Sequence, residues 1–487
     1  MQQFTELVKL VSGFLWDYLL LFLLCGTGIY FTLRLKFVQV RKFGVGLKML
    51  FGGFNLRGEA ADQKGMSSFQ ALTTAIAAQV GTGNITGCAM ALASGGPGAI
   101  FWMWVSAFFG MATIYSEAVL AQKFRTVKDG QITGGPIYYI RGFFRGRFGK
   151  VLSVFFSIAL ILSLGLMGNM VQSNSIGSAF HNAFGVPPLA VGVVVTAIAG
   201  FIFLGGVKRL ASVTEKLVPM MAILYILGCL IILGINHDMV LTALQQIFVL
   251  AFKPQAMAGG VLGVTIKEAM RYGVARGLFS NEAGMGSTPH AHALAKVKKP
   301  EDQGIVAMMG VFIDTFIVLT LTALVILTSG MLSTGETGTT LAQMAFNQAF
   351  GSFGNIFVAC CMLFFAFSTI IGWYFFGEVN VRALFGKKAI PVYSLLVLVF
   401  VMIGSSLQVD LVWSLSDLFN GLMVLPNLIG LLALSGLVAR ITKGNKETKD
   451  DIRYPDDPEV QKLMQNTDEI CYLDDAEVQG PMRKTAD

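Results

Sequence analysis

Eleven apolar runs along this 487-residue chain approach or exceed the roughly 20 residues that a helix needs to cross a bilayer core. They fall at 13–33, 67–93, 97–120, 151–179, 187–206, 216–236, 262–295, 304–330, 354–377, 389–407 and 411–439. Hydrocarbon offers backbone amides and carbonyls no partners, so apolar runs of this length must bond internally as helices. The predicted fold class is an all-α integral membrane protein of about eleven transmembrane helices. Only 13% of residues are charged, roughly half of the ~25% typical of soluble chains. The first run, Phe14 to Leu33, is too long for the apolar part of a cleaved signal and is expected to be retained.

Basic residues fix the expected orientation. Of 36 Lys and Arg, 31 fall after odd-numbered spans or in the C-terminal tail, Lys9 and Lys253 fall on the other side, and Lys267, Arg271 and Arg276 lie within span seven. The positive-inside rule then puts the N-terminus outside and the C-terminus in the cytoplasm. The net charge of +7 is thus topological, and nucleic acid is not needed to explain it. Residues 441–487 are polar, with 12 Asp or Glu among 47, and read as a solvated cytoplasmic tail. Cys25, Cys88, Cys229, Cys360, Cys361 and Cys471 form no spaced framework, which predicts neither disulfides nor a zinc site.

Two spans are poor helices in their middles. Span two contains Gln79-Val80-Gly81-Thr82-Gly83-Asn84, and span seven contains Gly277 through Ser287 (GLFSNEAGMGS). Each glycine costs about 1 kcal/mol relative to alanine inside a helix. Unwound backbone at membrane depth persists only where protein or a wet cavity satisfies it. The second break lies five spans after the first, so spans 2–6 and 7–11 each begin with an interrupted helix and cross in opposite senses. Paired breaks in inverted repeats mark a transporter's binding site; glycines in membrane helices also serve close packing alone. The expected organisation is an extra helix and basic loop over 1–66, a first five-helix repeat over 67–238, a second over 239–440, and the tail.

The segment Gly95-Gly96-Pro97-Gly98-Ala99-Ile100-Phe101-Trp102-Met103-Trp104, continuing to Gly110, resembles the signature of the alanine or glycine:cation symporter family (sodium:alanine symporters). Gly134 to Tyr139, Gly168 to Gln172 and Phe279 to Ser287 carry the same likeness, which spans all eleven runs but not the tail. The resemblance implies a leucine-transporter-type 5+5 inverted repeat preceded by one extra helix. It also implies coupling to Na⁺ or H⁺, a prokaryotic cytoplasmic membrane, and a small neutral amino acid such as alanine or glycine, with glutamine as the alternative. No further cofactor is expected.

In that frame, amides of Gly81, Thr82 and Gly83 would bind the substrate carboxylate with help from Asn84, and Gln79 would accept from the ammonium group. Gln172, Phe279, Ser280 and Asn281 would complete the substrate site. Ser368 and Thr369, adjacent hydroxyls in apolar span nine, would join carbonyls of Ala77 and Val80 around Na⁺; the bland alternative is back-bonding to their own helix. Asp314, within span eight, is expensive there and marks a second cation or proton site with Asn84, or else an interhelical hydrogen bond. Glu117 is expected to cap amides freed in span seven, and Asp417 to close an outer gate with Arg271 or Arg276.

His181 and His237 fall in outer loops. His290 and His292, two apart, diverge on a helix and lack a third ligand, so no metal site is expected. Trp102 and Trp104 read as packing or interface aromatics. The chain has no GxxxxGK[ST], GxSxG or HExxH, so the usual residues of ATP hydrolysis and common hydrolytic chemistry are missing and no enzyme is expected. An ion channel is the other rival class; its pore is commonly made by oligomer symmetry, whereas this chain duplicates internally.

Overall fold

A computed structural model describes residues 2–51, 66–144, 146–253, 265–407 and 409–444. The polar tail beyond 444 and Cys471 therefore lie outside the described residues. Among the described residues, eight helices are long and apolar enough to cross a membrane: α1 (Glu6–Arg34), α4 (Gly98–Lys123), α5 (Gly146–Phe184), α7 (Gly206–Ile235), α10 (Pro300–Ser329), α11 (Phe353–Phe385), α12 (Lys387–Gly404) and α13 (Leu411–Ala433). A shorter apolar helix, α6, covers Pro188–Phe203.

The other two expected spans are split. α2 (Ser68–Gln79) stops before Val80 and Gly81, and a π-type turn, Gly83–Gly87, leads into α3 (Cys88–Gly95). α8 (Ile266–Asn281) stops at Glu282, and regular structure resumes only in the single turn α9 (Pro289–His292). The second break thus starts at Glu282 and not at Gly277, because Gly277 to Asn281 remain helical. Both broken helices begin with a capping box, Ser67 with Gln70 and Thr265 with Glu268, which satisfies two orphan amides at each start.

The interior is built around α11. Of its most apolar window 78% is buried, against 22% for α12, so α11 runs through the centre while α12 presents Val392, Leu395 and Leu396 outward. The α2 helix packs on α7 and α11, α4 on α8 and α10, α5 on α11, and α6 on α12. The extra helix α1 lies against α4 and α13.

Two features depart from the expected all-helical pattern. Thr126–Lys128 (β1) and Gln131–Thr133 (β2) form an antiparallel hairpin, turned by Asp129 and Gly130 at φ 53° and 75°. Among the described residues, four π segments also occur, at Leu15–Leu20, Gly83–Gly87, Ile161–Gly168 and Phe312–Leu319. Such bulges recur at functional sites because they redirect side chains out of helical register. Here one carries Asn84, one carries Asp314, and one ends four residues before Gln172.

Candidate functional site

At the first break the hydrogen-bond ladder changes partners. In an unbroken helix the Gly81 amide would bond the Ala77 carbonyl. It donates instead to Asn84 Oδ1 at 3.0 Å, and the Thr82 amide donates to Gln172 Oε1 at 3.2 Å. The released Ala77 carbonyl accepts from Thr369 Oγ1 at 2.9 Å and Ser368 Oγ at 3.3 Å. Both hydroxyls also reach the Phe365 carbonyl one turn back, at 3.1 and 2.8 Å. Helical back-bonding and the interhelical contact therefore coexist. A side chain at Gly81 would run into Thr369 Oγ1 and come within 3.2 Å of Gln172 Oε1, so only glycine fits there.

The second break stands against the first. A Cβ on Gly83 would lie 2.9 Å from the Ser280 Cα. The buried Asp314 carboxylate accepts from Asn84 Nδ2 at 2.7 Å, Thr315 Oγ1 at 2.8 Å and Ser280 Oγ at 3.0 and 3.1 Å. All three donors are neutral. Asn281 bonds Thr315 Oγ1 at 3.1 Å and caps the Ala283 amide at 3.1 Å, while Gln79 Nε2 donates to the Asn281 carbonyl at 2.8 Å. Gln79 Oε1, Thr82 Oγ1 and Gln172 Nε2 are buried and have no hydrogen-bond partner among the described residues. Orphaned polar atoms are uncommon in native interiors, and three around one helix break suit a ligand that would pair with them.

Aromatic rings enclose this centre. Phe279 meets Trp373 edge-on at 5.6 Å and Trp413 at 4.7 Å. The Arg276 guanidinium lies 4.7 Å over Trp413 and pairs with both oxygens of Asp417 at 2.9 and 2.5 Å. Of the two arginines expected near Asp417, Arg276 is the partner, while Arg271 lies over the Tyr272 ring. The extra helix reaches this pair through Trp16, whose indole donates to the Asp417 carbonyl at 3.1 Å.

Glu117, fully buried on α4, accepts from the Gly284 and Gly286 amides at 3.1 and 2.9 Å and from Asn427 Nδ2 at 2.6 Å. It does cap the unwound backbone, as its position in span three suggests. Sequence reasoning missed Glu282. This fully buried residue at φ 57° takes hydrogen bonds from Ser287 Oγ at 2.6 Å and from the Trp373 indole. It also missed Trp373 and Trp413, which no local pattern separates from other apolar-span aromatics.

His290 bonds Asn380 at 2.9 Å and His292 bonds Gln303 at 2.8 Å, on different helices. No group of three or more metal-binding side chains occurs among the described residues. His181 and His237 are exposed. Trp102 and Trp104 tie α4 to the Ala251 carbonyl and to Thr320, as packing residues do.

Two interrupted helices abut at the centre of this helical membrane protein, and the Ala77 carbonyl freed by the first is met by hydroxyls of a third helix, the arrangement of broken helices that marks secondary carriers of the leucine-transporter type. The crystal structure of MhsT in complex with L-phenylalanine shares the fold at a TM-score of 0.53 and 13% identity, covering 86% of this chain and 99% of that one. The chain belongs to the sodium:alanine symporter family, whose profile matches residues 1–458. It is 43% identical to the sodium/alanine symporter AgcS of Methanococcus maripaludis over 452 residues, covering 92% of this chain and 98% of that one. It is also 41% identical over 463 residues, 94% of this chain and 95% of the relative, to the Bacillus subtilis protein named "Probable sodium/glutamine symporter GlnT". The protein is thus a Na⁺-coupled amino-acid symporter and a multi-pass protein of the cell membrane.

Proposed function

We propose that the protein imports a small neutral amino acid, alanine or glycine, with Na⁺ by alternating access. The observation that carries this reading is the Ala77 carbonyl, released by the helix break and met by the hydroxyls of Ser368 and Thr369. Hard oxygens of this kind, drawn from unwound backbone and a neighbouring helix, suit Na⁺; the Val80 carbonyl would complete the set. Asp314 with Asn84 would hold a second cation or a proton. Its neutral surroundings support that role, because a buried carboxylate without a counter-charge is costly.

Amides of Gly81, Thr82 and Gly83, with Asn84, would take the substrate carboxylate, and those now bonded to Asn84 and Gln172 would exchange acceptors. Gln79 Oε1 would accept from the ammonium group, with Ser280 and Asn281 as neighbouring polar contacts. Phe279 would limit the side chain. The matched capping boxes and the pairwise packing of α4 on α10, α5 on α11 and α6 on α12 support two inverted five-helix units, 67–238 and 239–440, after the extra helix. Eleven crossings would put the N-terminus outside and the tail in the cytoplasm. Glutamine is the second reading, favoured by the name of the Bacillus subtilis relative.

Uptake of labelled alanine into proteoliposomes, with competing amino acids and with Na⁺ or H⁺ gradients of either sign, tests the proposal. Reversing the Na⁺ gradient should drive alanine outward. Uptake indifferent to both gradients would rule out symport, and stronger competition by glutamine than by alanine or glycine would move the substrate to the second reading.

A further inference from the structure

We propose that Glu282, by holding the Trp373 indole, sets the largest amino-acid side chain the site admits; the proposal rests on the transport reading above. On α11, Trp373 lies one turn beyond Thr369 and so on the same face as the hydroxyl that meets Ala77. On α5, Gly168 lies one turn before Gln172, and a Cβ there would stand 2.5 Å from the Trp373 ring. The indole therefore fills space that a side chain at 168 would otherwise occupy, one turn from the Thr369 hydroxyl that stands against Gly81 and edge-on to Phe279. This is where the side chain of a substrate anchored at Gly81 would extend.

The indole N–H donates to Glu282 Oε1, and the other carboxylate oxygen is held by Ser287 Oγ at 2.6 Å. Glu282 is fully buried in the left-handed region, at φ 57°, where glycine would serve the turn without a charge to bury. A fully buried carboxylate is costly, so helix termination alone does not explain it. What it supplies that glycine would not is an acceptor fixed to the broken backbone and aimed at Trp373. Glu282 is thus a positioning residue: it acts on the substrate through the ring it orients.

The test is uptake by proteoliposomes of glycine, alanine, leucine and phenylalanine, comparing wild type with Glu282→Ala, Glu282→Gln and Trp373→Phe. Glu282→Ala should raise the leucine-to-alanine uptake ratio at least tenfold. Glu282→Gln, which keeps an acceptor, should restore the narrow profile, and Trp373→Phe, which loses the N–H, should broaden it as Glu282→Ala does. A purely structural residue would lower uptake of all four amino acids together. Active Glu282→Ala with an unmoved ratio, or Trp373→Phe with the wild-type ratio, overturns the proposal; should Glu282→Ala fail to fold, Trp373→Phe decides. Wild-type protein that takes up none of the four would instead sink the transport reading itself.

Discussion

Thr369 donates its hydroxyl to the Ala77 carbonyl at 2.9 Å across 292 positions of chain, a contact available only because the Gly81 amide has turned to Asn84. The break and the oxygen cluster are therefore one event. Each extra half-turn of ordinary helix at Gly81 would close the carbonyl off again.

Replacing both hydroxyls, Ser368→Ala with Thr369→Ala, should raise the Na⁺ concentration needed for half-maximal uptake more than tenfold, equivalent to roughly 1.4 kcal/mol or more of lost cation binding. Thr369→Ser should lose much less. A Na⁺ activation curve unchanged in the double variant removes these residues from the cation site.

Gly81→Ala should abolish uptake while leaving the protein inserted and monodisperse. Its new methyl would collide with Thr369 Oγ1 and crowd Gln172 Oε1, both fixed by buried hydrogen bonds. Alanine uptake above a tenth of wild type would mean the break tolerates a side chain.

Asp314→Asn preserves shape but removes the charge that Asn84, Ser280 and Thr315 surround. Substrate-driven uptake of ²²Na⁺, or of H⁺ followed with a pH dye, should fall by one ion per amino acid if Asp314 holds a coupled cation. An unaltered ratio assigns it to structure.

Opening the Arg276–Asp417 pair should expose the outer side. Asp417→Asn should speed external thiol labelling of a cysteine introduced at Trp413 several-fold, and the exchange Arg276→Asp with Asp417→Arg should slow it again. A partly buried, bidentate, charge-assisted pair is strong enough for this, because both N–H donors meet both carboxylate oxygens. Equal labelling in all three excludes a gate.

Glu117→Ala should destabilise the fold by about 3 kcal/mol or more, since it strands the Gly284 and Gly286 amides and the Asn427 side chain together. Thermal unfolding in detergent reads this directly. Glu117→Gln, still an acceptor, should recover part of the loss.

Hydropathy alone located the apolar runs, because length and lack of charge are what a bilayer selects. The first break was legible for the same reason it forms: Gly81 and Gly83 with Thr82 and Asn84 favour neither helix nor lipid. The second begins at Glu282, five residues beyond the glycine that points to it. Glycines suggested Gly277, but Ser280 and Asn281 bond Asp314 and Thr315 from within an intact helix, and the turn is carried by a glutamate in the left-handed region. Few non-glycine residues adopt that conformation, so composition pointed elsewhere. The β1–β2 hairpin did carry a readable signal, Asp129-Gly130 between Thr-Val-Lys and Gln-Ile-Thr. The π segments had none, since a span that is apolar on every face looks the same after one extra residue shifts its register.

The two interrupted helices differ in reach. Past the second break only one turn survives, four residues or about 6 Å. Gln122 grips its carbonyl at His292 and the one at Ala295, which Arg125 also holds. Before the first break stands a rod of 12 residues, about 18 Å long. For the same angular swing the tip of a rod three times longer travels three times farther. The two breaks are therefore flanked by unequal machinery, a long oar before the first and a short pinned rowlock after the second.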